Sequence, residues 1–326
     1  MNRFRFARAH SPDAAVATVA ADPHAAYIAG GTNILDLMKD YAVAPALLVD
    51  ITALSFGKVE STPLGVRVGA LAKMSDVADH PTIQKQFPAI AQALLESASP
   101  QLRNMATIGG NLMQRTRCAY FRDVGTACNK RMPGAGCSAL EGVNRMHAVL
   151  GGSEHCICVH ASDLAVALTA FDAIVHVHGP DGDRAIPLTQ FYVLPGTTPD
   201  RETVLRHGEL IEMLELRPSE YTARSTYLKV RDRAAYEFAL VSVAAGLDVQ
   251  AGKIRTARLA LGGVAPIPWR AREAEDALAG QAPTRDAFVN AGQIALSGAH
   301  GHGENDFKIA LAQRAIVRAF ETVASA

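Results

Sequence analysis

Apolar positions recur at helix or strand spacing through most of the chain. Ser11-Pro12 predicts a helix start, because serine caps a helix and proline suits its first turn. Residues 25–28 predict a strand that runs into the turn Gly30-Gly31, and residues 34–41 predict a helix that leaves this turn. Further short strands and helices are expected over residues 47–51, 66–71, 74–76, 89–95 and 164–171.

The second half of the chain predicts strands followed by helices. Residues 174–178 and the turn Pro180-Asp181-Gly182 indicate a hairpin, and a domain boundary is expected near residues 218–222. Beyond that boundary, residues 239–249 and 254–261 alternate as two strands. Three helical stretches follow, at residues 270–279, 284–296 and 306–323. This order of elements predicts an α+β C-terminal domain.

Residues 115–154 differ from the rest because they follow neither the helix nor the strand period. A long loop of this kind inside a compact domain normally has a functional reason. All five cysteines of the chain lie between Cys118 and Cys158. An odd number of cysteines argues against a disulfide framework, and their clustering in one segment indicates a metal site.

The spacing of the cysteines does not identify the metal. Nine residues separate Cys118 from Cys128, eight separate Cys128 from Cys137, and eighteen separate Cys137 from Cys156. This spacing is neither that of a common zinc ribbon nor that of a bacterial ferredoxin. Four thiolates on a wide loop suit a [4Fe–4S] cluster, while structural zinc and buried free cysteines stay open as alternatives. The nearby histidines at 147, 155 and 160 more often form hydrogen bonds than ligate metal.

Composition and charge narrow the class of protein. The chain has 326 residues, of which 49% are hydrophobic and 20% charged, and this is typical of a globular protein. A formal net charge of zero favours no binding to nucleic acid or to an anionic membrane surface. No apolar run reaches about 18 residues, so no membrane span is expected. The basic start lacks an apolar core, so we expect a cytoplasmic protein or one exported with a signal-bearing partner.

Two glycine motifs are candidates for phosphate binding. They are Ala29-Gly30-Gly31-Thr32-Asn33 and Ala106-Thr107-Ile108-Gly109-Gly110-Asn111. Paired glycines let backbone N–H groups approach a phosphate closely, and two such loops suit the two phosphates of a dinucleotide. Neither motif matches G-x-G-x-x-G, so a Rossmann site is not supported. Each motif taken alone is equally well an ordinary turn.

Taken together, the two motifs resemble the FAD-contacting loops of the flavin subunits of molybdenum hydroxylases. That family includes subunits of xanthine dehydrogenase, carbon monoxide dehydrogenase and periplasmic aldehyde oxidoreductases. Residues 99–105, Ser162-Asp163 and residues 229–238 are also typical of it, so the resemblance covers nearly the whole chain.

The resemblance implies an α+β fold in two parts. Residues 1–220 are expected to form an FAD-binding domain of the vanillyl-alcohol-oxidase (PCMH) type. Its subdomains would span about 1–55 and 56–220, with an iron–sulfur loop at 115–158. Residues 221–326 are expected to form a C-terminal domain of the CO dehydrogenase flavoprotein type.

The resemblance also implies which residues contact FAD. The pyrophosphate is expected to lie against Ala29, Gly30, Gly31, Thr32, Asn33, Ile34, Thr107, Gly109, Gly110 and Asn111. Asp163 is expected to bind the ribityl chain, and Lys229 is expected near the flavin ring, where a cation stabilises the reduced form. Leu210 or Ile211 is expected to pack at the ring. Side chains added at Gly30 and Gly109 are expected to expel flavin while the fold is kept.

The cysteine segment is similar to an inserted loop of certain flavin subunits in this family. Those of 4-hydroxybenzoyl-CoA reductase and bacterial periplasmic aldehyde oxidoreductase carry a [4Fe–4S] cluster there, and the second form is the more similar. The resemblance implies that Cys118, Cys128, Cys137 and Cys156 ligate the cluster. Cys158 is then a spare thiol, or it exchanges with Cys156.

The expected function is electron transfer within a heterotrimeric molybdenum-dependent aldehyde oxidoreductase. A large molybdopterin-binding subunit and a small [2Fe–2S] subunit are the expected partners, and the isolated chain is expected to bind FAD without oxidising aldehydes. The alternatives are a flavin subunit of a xanthine dehydrogenase or a hydroxybenzoyl-CoA reductase, a stand-alone MurB-like flavoenzyme, and a zinc-stapled binding module. The resemblance further implies a periplasmic location, through export with a partner that has a twin-arginine signal.

Overall fold

The computed structural model describes residues 1–325, and its first sheet is small and parallel. Strands β1 and β2 both pair with the central strand β3, in the order β1-β3-β2. The elements are β1 Arg5–Arg8, α1 Pro12–Ala20, β2 Ala25–Ile28, α2 Ile34–Lys39 and β3 Leu47–Asp50. The glycine turn between β2 and α2 therefore lies at the carboxyl end of a parallel strand, where such sheets commonly bind ligands.

The second sheet has five antiparallel strands in the order β4-β5-β8-β6-β7. Its elements are β4 Val59–Thr62, β5 Gly65–Gly69, α3 Met74–Ala78, α4 Pro81–Gln86, α5 Pro88–Leu95, α6 Pro100–Arg103, α7 Ile108–Leu112, α8 Ala119–Arg122, α9 Asp163–Ala170, β6 Ile174–Gly179, β7 Gly182–Pro187 and β8 Leu210–Leu216. Helices α4, α5 and α6 each begin at a proline, because proline lacks the N–H that the first helical turn leaves unpaired.

The third sheet has four antiparallel strands in the order β12-β11-β10-β9, covered by helices. Its elements are α10 Glu220–Ala223, β9 Ser225–Val230, β10 Val241–Gln250, β11 Lys253–Gly262, β12 Trp269–Arg270, α11 Arg272–Leu278, α12 Arg285–Ala295 and α13 Phe307–Ser325. Helices α12 and α13 pack through the stacked rings of Phe288 and Phe320, whose centroids are 5.3 Å apart. One apolar cluster joins these helices to the sheet.

Helix α9 connects the second and third sheets. All eight of its residues are buried, and its apolar side chains share a core with residues of both sheets. The Ser162 hydroxyl caps the helix by accepting a hydrogen bond from the Ala165 N–H at 2.9 Å. Because the cap fixes the start of the helix, Asp163 lies at the junction of the two sheets.

Most predicted elements are confirmed, and the exceptions have physical causes. The three C-terminal helical stretches correspond to α11, α12 and α13. The irregular segment contains one short helix, α8, which was not predicted. Strand β8 was missed, because its buried and half-buried residues do not alternate regularly along the strand. Within residues 1–325, no helix has the length and apolarity needed to cross a bilayer.

Candidate functional site

A cleft of about 520 Å³ opens between the first glycine loop and the loop that follows β9. The residues predicted from the glycine motifs supply one wall, through Gly30, Gly31, Thr32, Asn33, Gly110 and Asn111. Asp163 and Lys229 lie in the same lining, and Tyr236 and Phe238 face them from the loop after β9. Residues far apart in the sequence therefore meet in one cleft.

The first glycine loop presents backbone donors that have no protein acceptor. In the described chain, the N–H groups of residues 30–34 donate no hydrogen bond to backbone or side chain. Gly31 has a positive φ of 71°, which turns the chain so that successive N–H groups line a concave surface. The side-chain Oδ1 of Asn33 is also buried and unpartnered. Such a loop suits an anionic group with several oxygens.

The second glycine motif is built differently from the first. Ile108 N–H donates to the Ala72 carbonyl at 3.0 Å, and Gly109 N–H donates to the Ala70 carbonyl at 2.8 Å. Gly110 N–H donates to the Thr107 hydroxyl at 3.2 Å. These N–H groups are occupied within the protein, so this motif offers the cleft a close, flat surface rather than a row of open donors.

The two motifs touch each other through Gly30. An ideal Cβ on Gly30 would lie 2.0 Å from the Met105 carbonyl oxygen, and one on Gly109 would lie 3.0 Å from the Ala70 Cβ. The expectation that side chains at both positions expel flavin and keep the fold is therefore wrong for Gly30. A side chain there collides with backbone before it reaches the cleft.

A buried ion pair closes the inner end of the cleft. Lys229 Nζ lies 2.8 Å from Asp163 Oδ2, and the two side chains are 1% and 8% exposed. Asp163 also accepts from the Tyr227 hydroxyl at 2.6 Å and from the Ser97 hydroxyl at 3.0 Å. Burial, with the Asp163 charge, raises the pKa of Tyr227 well above its usual value, so the phenol stays protonated and donates.

Asp163 and Lys229 each keep one unused hydrogen-bonding position. A carboxylate has about four acceptor positions, and the protein fills three of those of Asp163. An ammonium has three donors, and Lys229 uses two of them, on Asp163 and on the Glu96 carbonyl. Ser97 and Tyr227 were not predicted from the sequence, because isolated Ser and Tyr residues carry no local signal.

Five of the predicted cofactor residues lie outside the cleft lining. Ala29, Ile34, Thr107 and Gly109 flank the residues that line it. Ile211 is 6% exposed and lies on β8 within the apolar core of the second sheet. Leu210, its alternative, packs into the core of the first sheet. Both side chains point into packed cores, so the contact of either residue with the flavin ring stays a prediction, and it would involve the backbone.

The cysteine segment folds around a small cavity. All five thiols line it, at Cys118, Cys128, Cys137, Cys156 and Cys158. Cys128 and Cys137 face each other in an isolated antiparallel bridge. The segment as described has no group of three His, Cys, Asp or Glu side chains arranged to hold a single metal ion. Cys158 shares the cavity, so the structure does not set it apart from the other four.

The thiols differ in their electrostatic surroundings. Burial raises the pKa of Cys118 to about 12. A hydrogen bond from Cys156 lowers the pKa of Cys158 to about 7, and the Lys130 ammonium acts in the same direction. Lys130 is itself held by the Pro199 carbonyl at 2.7 Å and the Glu202 carboxylate at 3.1 Å. Donation to Cys158, with burial, raises the pKa of Cys156, so the Lys130 cation favours ionisation of Cys158 and not of Cys156.

The cysteine cavity and the cleft are joined through shared residues. A third cavity, of about 510 Å³, is lined by Cys118 at one end and by Asp163 and Phe238 at the other. Arg117 and Arg122, in the cysteine segment, donate to Asp36 at 2.9 and 2.7 Å. Because Asp36 lies in α2, just after the glycine loop, these ion pairs fix the two sites against each other.

Comparison with known proteins identifies the two halves of the chain. Residues 2–217 match the family model for the FAD binding domain in molybdopterin dehydrogenase, and residues 226–323 match that for the CO dehydrogenase flavoprotein C-terminal domain. The aldehyde oxidoreductase FAD-binding subunit PaoB of Escherichia coli (strain K12) is 45% identical over 319 residues, which cover 97% of this chain and 96% of that one.

More distant relatives share the same architecture. The glyceraldehyde dehydrogenase medium chain of Sulfolobus acidocaldarius is 26% identical over 279 residues, or 85% of this chain and 82% of its own length. Among solved structures, the carbon monoxide dehydrogenase of Hydrogenophaga pseudoflava that lacks the Mo-pyranopterin moiety aligns with a TM-score of 0.78. It is 25% identical and covers 99% of this chain and 98% of that one.

The fold and the cleft define a flavoprotein subunit of an oxidoreductase. The chain belongs to the family of FAD-binding subunits of molybdenum hydroxylases. The predicted fold, with its PCMH-type and CO dehydrogenase flavoprotein-type parts, is confirmed. The resemblance to the aldehyde oxidoreductase form is confirmed as well.

Proposed function

We propose that the chain is the FAD and [4Fe–4S] electron-transfer subunit of a heterotrimeric molybdenum-dependent aldehyde oxidoreductase. A large molybdopterin-binding subunit would oxidise the aldehyde, and a small [2Fe–2S] subunit would deliver the electrons to this chain. From this chain the electrons would pass to an external acceptor. Support comes from 45% identity to an aldehyde oxidoreductase subunit over nearly the whole chain. The main support for the FAD site is the row of N–H groups at residues 30–34 that have no acceptor in the protein.

The residues of the cleft fit FAD from its phosphates to its ring. The open N–H groups of the first glycine loop would hold the pyrophosphate, and Gly110 would let it approach α7 closely. The remaining acceptor position of Asp163 would take a ribityl hydroxyl. The remaining N–H of Lys229 would face the ring. When bound, FAD supplies a carrier that takes up electrons singly and releases them as a pair.

The thiol-lined cavity fits a cluster by the chemistry of its donors. Iron–sulfur clusters are held by cysteine thiolates, and five thiols meet here beside a buried lysine. We propose Cys118, Cys128, Cys137 and Cys156 as ligands, with Cys158 as the spare thiol. The thiolates of a cubane bind different iron atoms and lie farther apart than the ligands of one ion. The absence of a single-ion site among the described residues therefore fits a cluster better than zinc.

Compartment and division into domains follow from the same proposal. We propose that residues 1–220 form the FAD-binding domain, with subdomains at about 1–55 and 56–220, and that residues 221–326 form the C-terminal domain. Each of these three ranges contains one of the three sheets. We also propose a periplasmic location, reached by export with a signal-bearing partner.

Anaerobic purification of the full chain tests the proposal directly. We expect one FAD and four iron atoms per chain, with flavin bands and a broad shoulder near ~400 nm that bleaches on reduction. The isolated chain should not oxidise aldehydes, and activity should appear only with the two partner subunits. Flavin without iron would favour a flavin subunit of the same family that carries no cluster, and a colourless zinc protein would contradict both proposed cofactors. Either result would overturn the proposal.

A further inference from the structure

One imidazole lies directly against a proposed cluster ligand. His147 Nε2 is 3.1 Å from the Cys118 Sγ, and His147 is 6% exposed. Its other nitrogen, Nδ1, is buried and has no hydrogen-bond partner among residues 1–325. A thiolate that ligates iron carries no proton, so this contact is a hydrogen bond only when the ring proton is on Nε2 and the sulfur accepts it.

The backbone of His147 is fixed by buried side chains at the start of α13. Lys308 Nζ donates to the His147 carbonyl at 2.9 Å and to the Met146 carbonyl at 3.1 Å. Asn305 Nδ2 donates to the same His147 carbonyl at 3.2 Å and to the Ala148 carbonyl at 3.0 Å. Lys308 and Asn305 are both 0% exposed. These contacts hold the backbone from which the imidazole reaches Cys118, and burial of the ring restricts its rotamers.

We propose that His147 donates a hydrogen bond from Nε2 to the Cys118 thiolate and thereby raises the reduction potential of the [4Fe–4S] cluster. The inference rests on the proposed function, since it needs Cys118 as a ligand. Reduction adds negative charge to the cluster and its sulfurs, so a donor stabilises the reduced form more than the oxidised one. Lys308 and Asn305 are positioning residues in this arrangement.

Two amide variants distinguish a hydrogen-bond-donor role of His147 from a space-filling role of its ring. The glutamine amide in His147→Gln reaches the place of Nε2, whereas the shorter amide in His147→Asn reaches only the place of Nδ1. The full chain is purified anaerobically, and the cluster is titrated by EPR at controlled potential. We expect the Gln variant to titrate near the wild type. The Asn variant should favour reduction about tenfold less, a fall of ~59 mV for one electron.

Iron per chain is measured before each titration. Wild-type protein without iron would overturn the proposed function itself. Wild-type protein with iron, and equal potentials in both amide variants, would overturn only the role of His147. Loss of iron from both variants would show that the ring fills space rather than donates, and this also overturns it. Loss from the Asn variant alone supports the donor, because the two amides differ mainly in reach.

Discussion

Single glycines in the two motifs serve different purposes. At Gly30 a Cβ would strike the Met105 carbonyl oxygen, so glycine is needed for contact between the two loops. At Gly110 a Cβ would approach only the Thr107 hydroxyl, at 2.9 Å, and the residue lies on the wall of the cleft. A test of cofactor binding therefore belongs at Gly110, where an added Cβ meets one side-chain oxygen and no backbone atom of another loop.

Gly110→Leu is expected to weaken FAD binding at least about tenfold, which corresponds to ~1.4 kcal/mol. The added side chain would occupy space against which the dinucleotide lies. Flavin per chain after desalting, and flavin fluorescence during titration, provide the measurement. The matched control is Gly57→Leu, because Gly57 is exposed with no atom near its Cβ position. Unchanged flavin affinity in Gly110→Leu would contradict the proposal that Gly110 lines the FAD site.

Asp163→Asn is expected to lower the free energy of unfolding by about 3 kcal/mol, because it leaves the Lys229 ammonium buried without a counter-ion. Lys229→Met should cost a similar amount, since it leaves the carboxylate unpaired. Chemical denaturation of the flavin-free chain gives both values. In the double variant the loss should be clearly smaller than the sum, as for contacting residues. Additive losses would show that the pair contributes little.

At the scale of elements, the start of α13 holds the cysteine segment in place. Lys308 donates to the carbonyls of Met146, His147 and Gly263, which belong to the cysteine segment and to the turn after β11. Burial lowers the pKa of Lys308 to about 7, with a further contribution from Arg145. This role is not evident from the sequence, because a single lysine in an amphipathic helix predicts a solvated side chain.

Lys308→Met is expected to destabilise the chain by about 3 kcal/mol, because the Met146 and Gly263 carbonyls lose the lysine donor and the His147 carbonyl keeps only Asn305. Iron content should fall with it, while FAD content changes little, since the cleft lies elsewhere. Thermal unfolding and metal analysis supply the two readouts. Lys253→Met, at an exposed lysine, is the control. Equal stability of the two variants would refute the role of Lys308.

At the scale of the whole molecule, His178 connects the first and second sheets. Its Nδ1 lies 2.6 Å from Asp183 on β7, and its Nε2 lies 2.8 Å from Asp13 on α1. The hydrogen bond to Asp183 raises the pKa of His178 against the effect of burial, and Asp13 and Glu212 act in the same direction. Charged His178 is thus stabilised in the folded state. Its contribution is complete below the unfolded pKa and lost as pH rises through the folded one.

His178→Asn is accordingly expected to lower the melting temperature near ~pH 5.5 and to leave it unchanged near ~pH 8.5. The effect should stay below about 1 kcal/mol, because the carboxylates are exposed and solvent screens the pair. Melting curves at both pH values measure it, with His24→Asn at an exposed histidine as the control. A loss of melting temperature that grows with pH would contradict the predicted direction.

Features built from adjacent residues could be predicted from the sequence, whereas contacts between residues far apart along the chain could not. Short motifs placed the first glycine loop and the cysteine segment, because adjacent residues carry each signal. The partners of Asp163 lie 64 and 66 residues away along the chain, so no local pattern reveals them. The burial of the Ile211 side chain is hidden from the sequence for the same reason, since the face of β8 that meets a core depends on its pairing with β5 and β6.

The anchoring of the cysteine segment by α13 has a consequence for how the protein matures. Asn305 lies 158 residues after His147 in the chain, so the contacts that hold the segment form only after this later part has been synthesised. Insertion of iron and sulfide is then expected only after the start of α13 has been synthesised. A chain ending before α13 should accumulate without iron, however much of the cluster assembly machinery the cell provides.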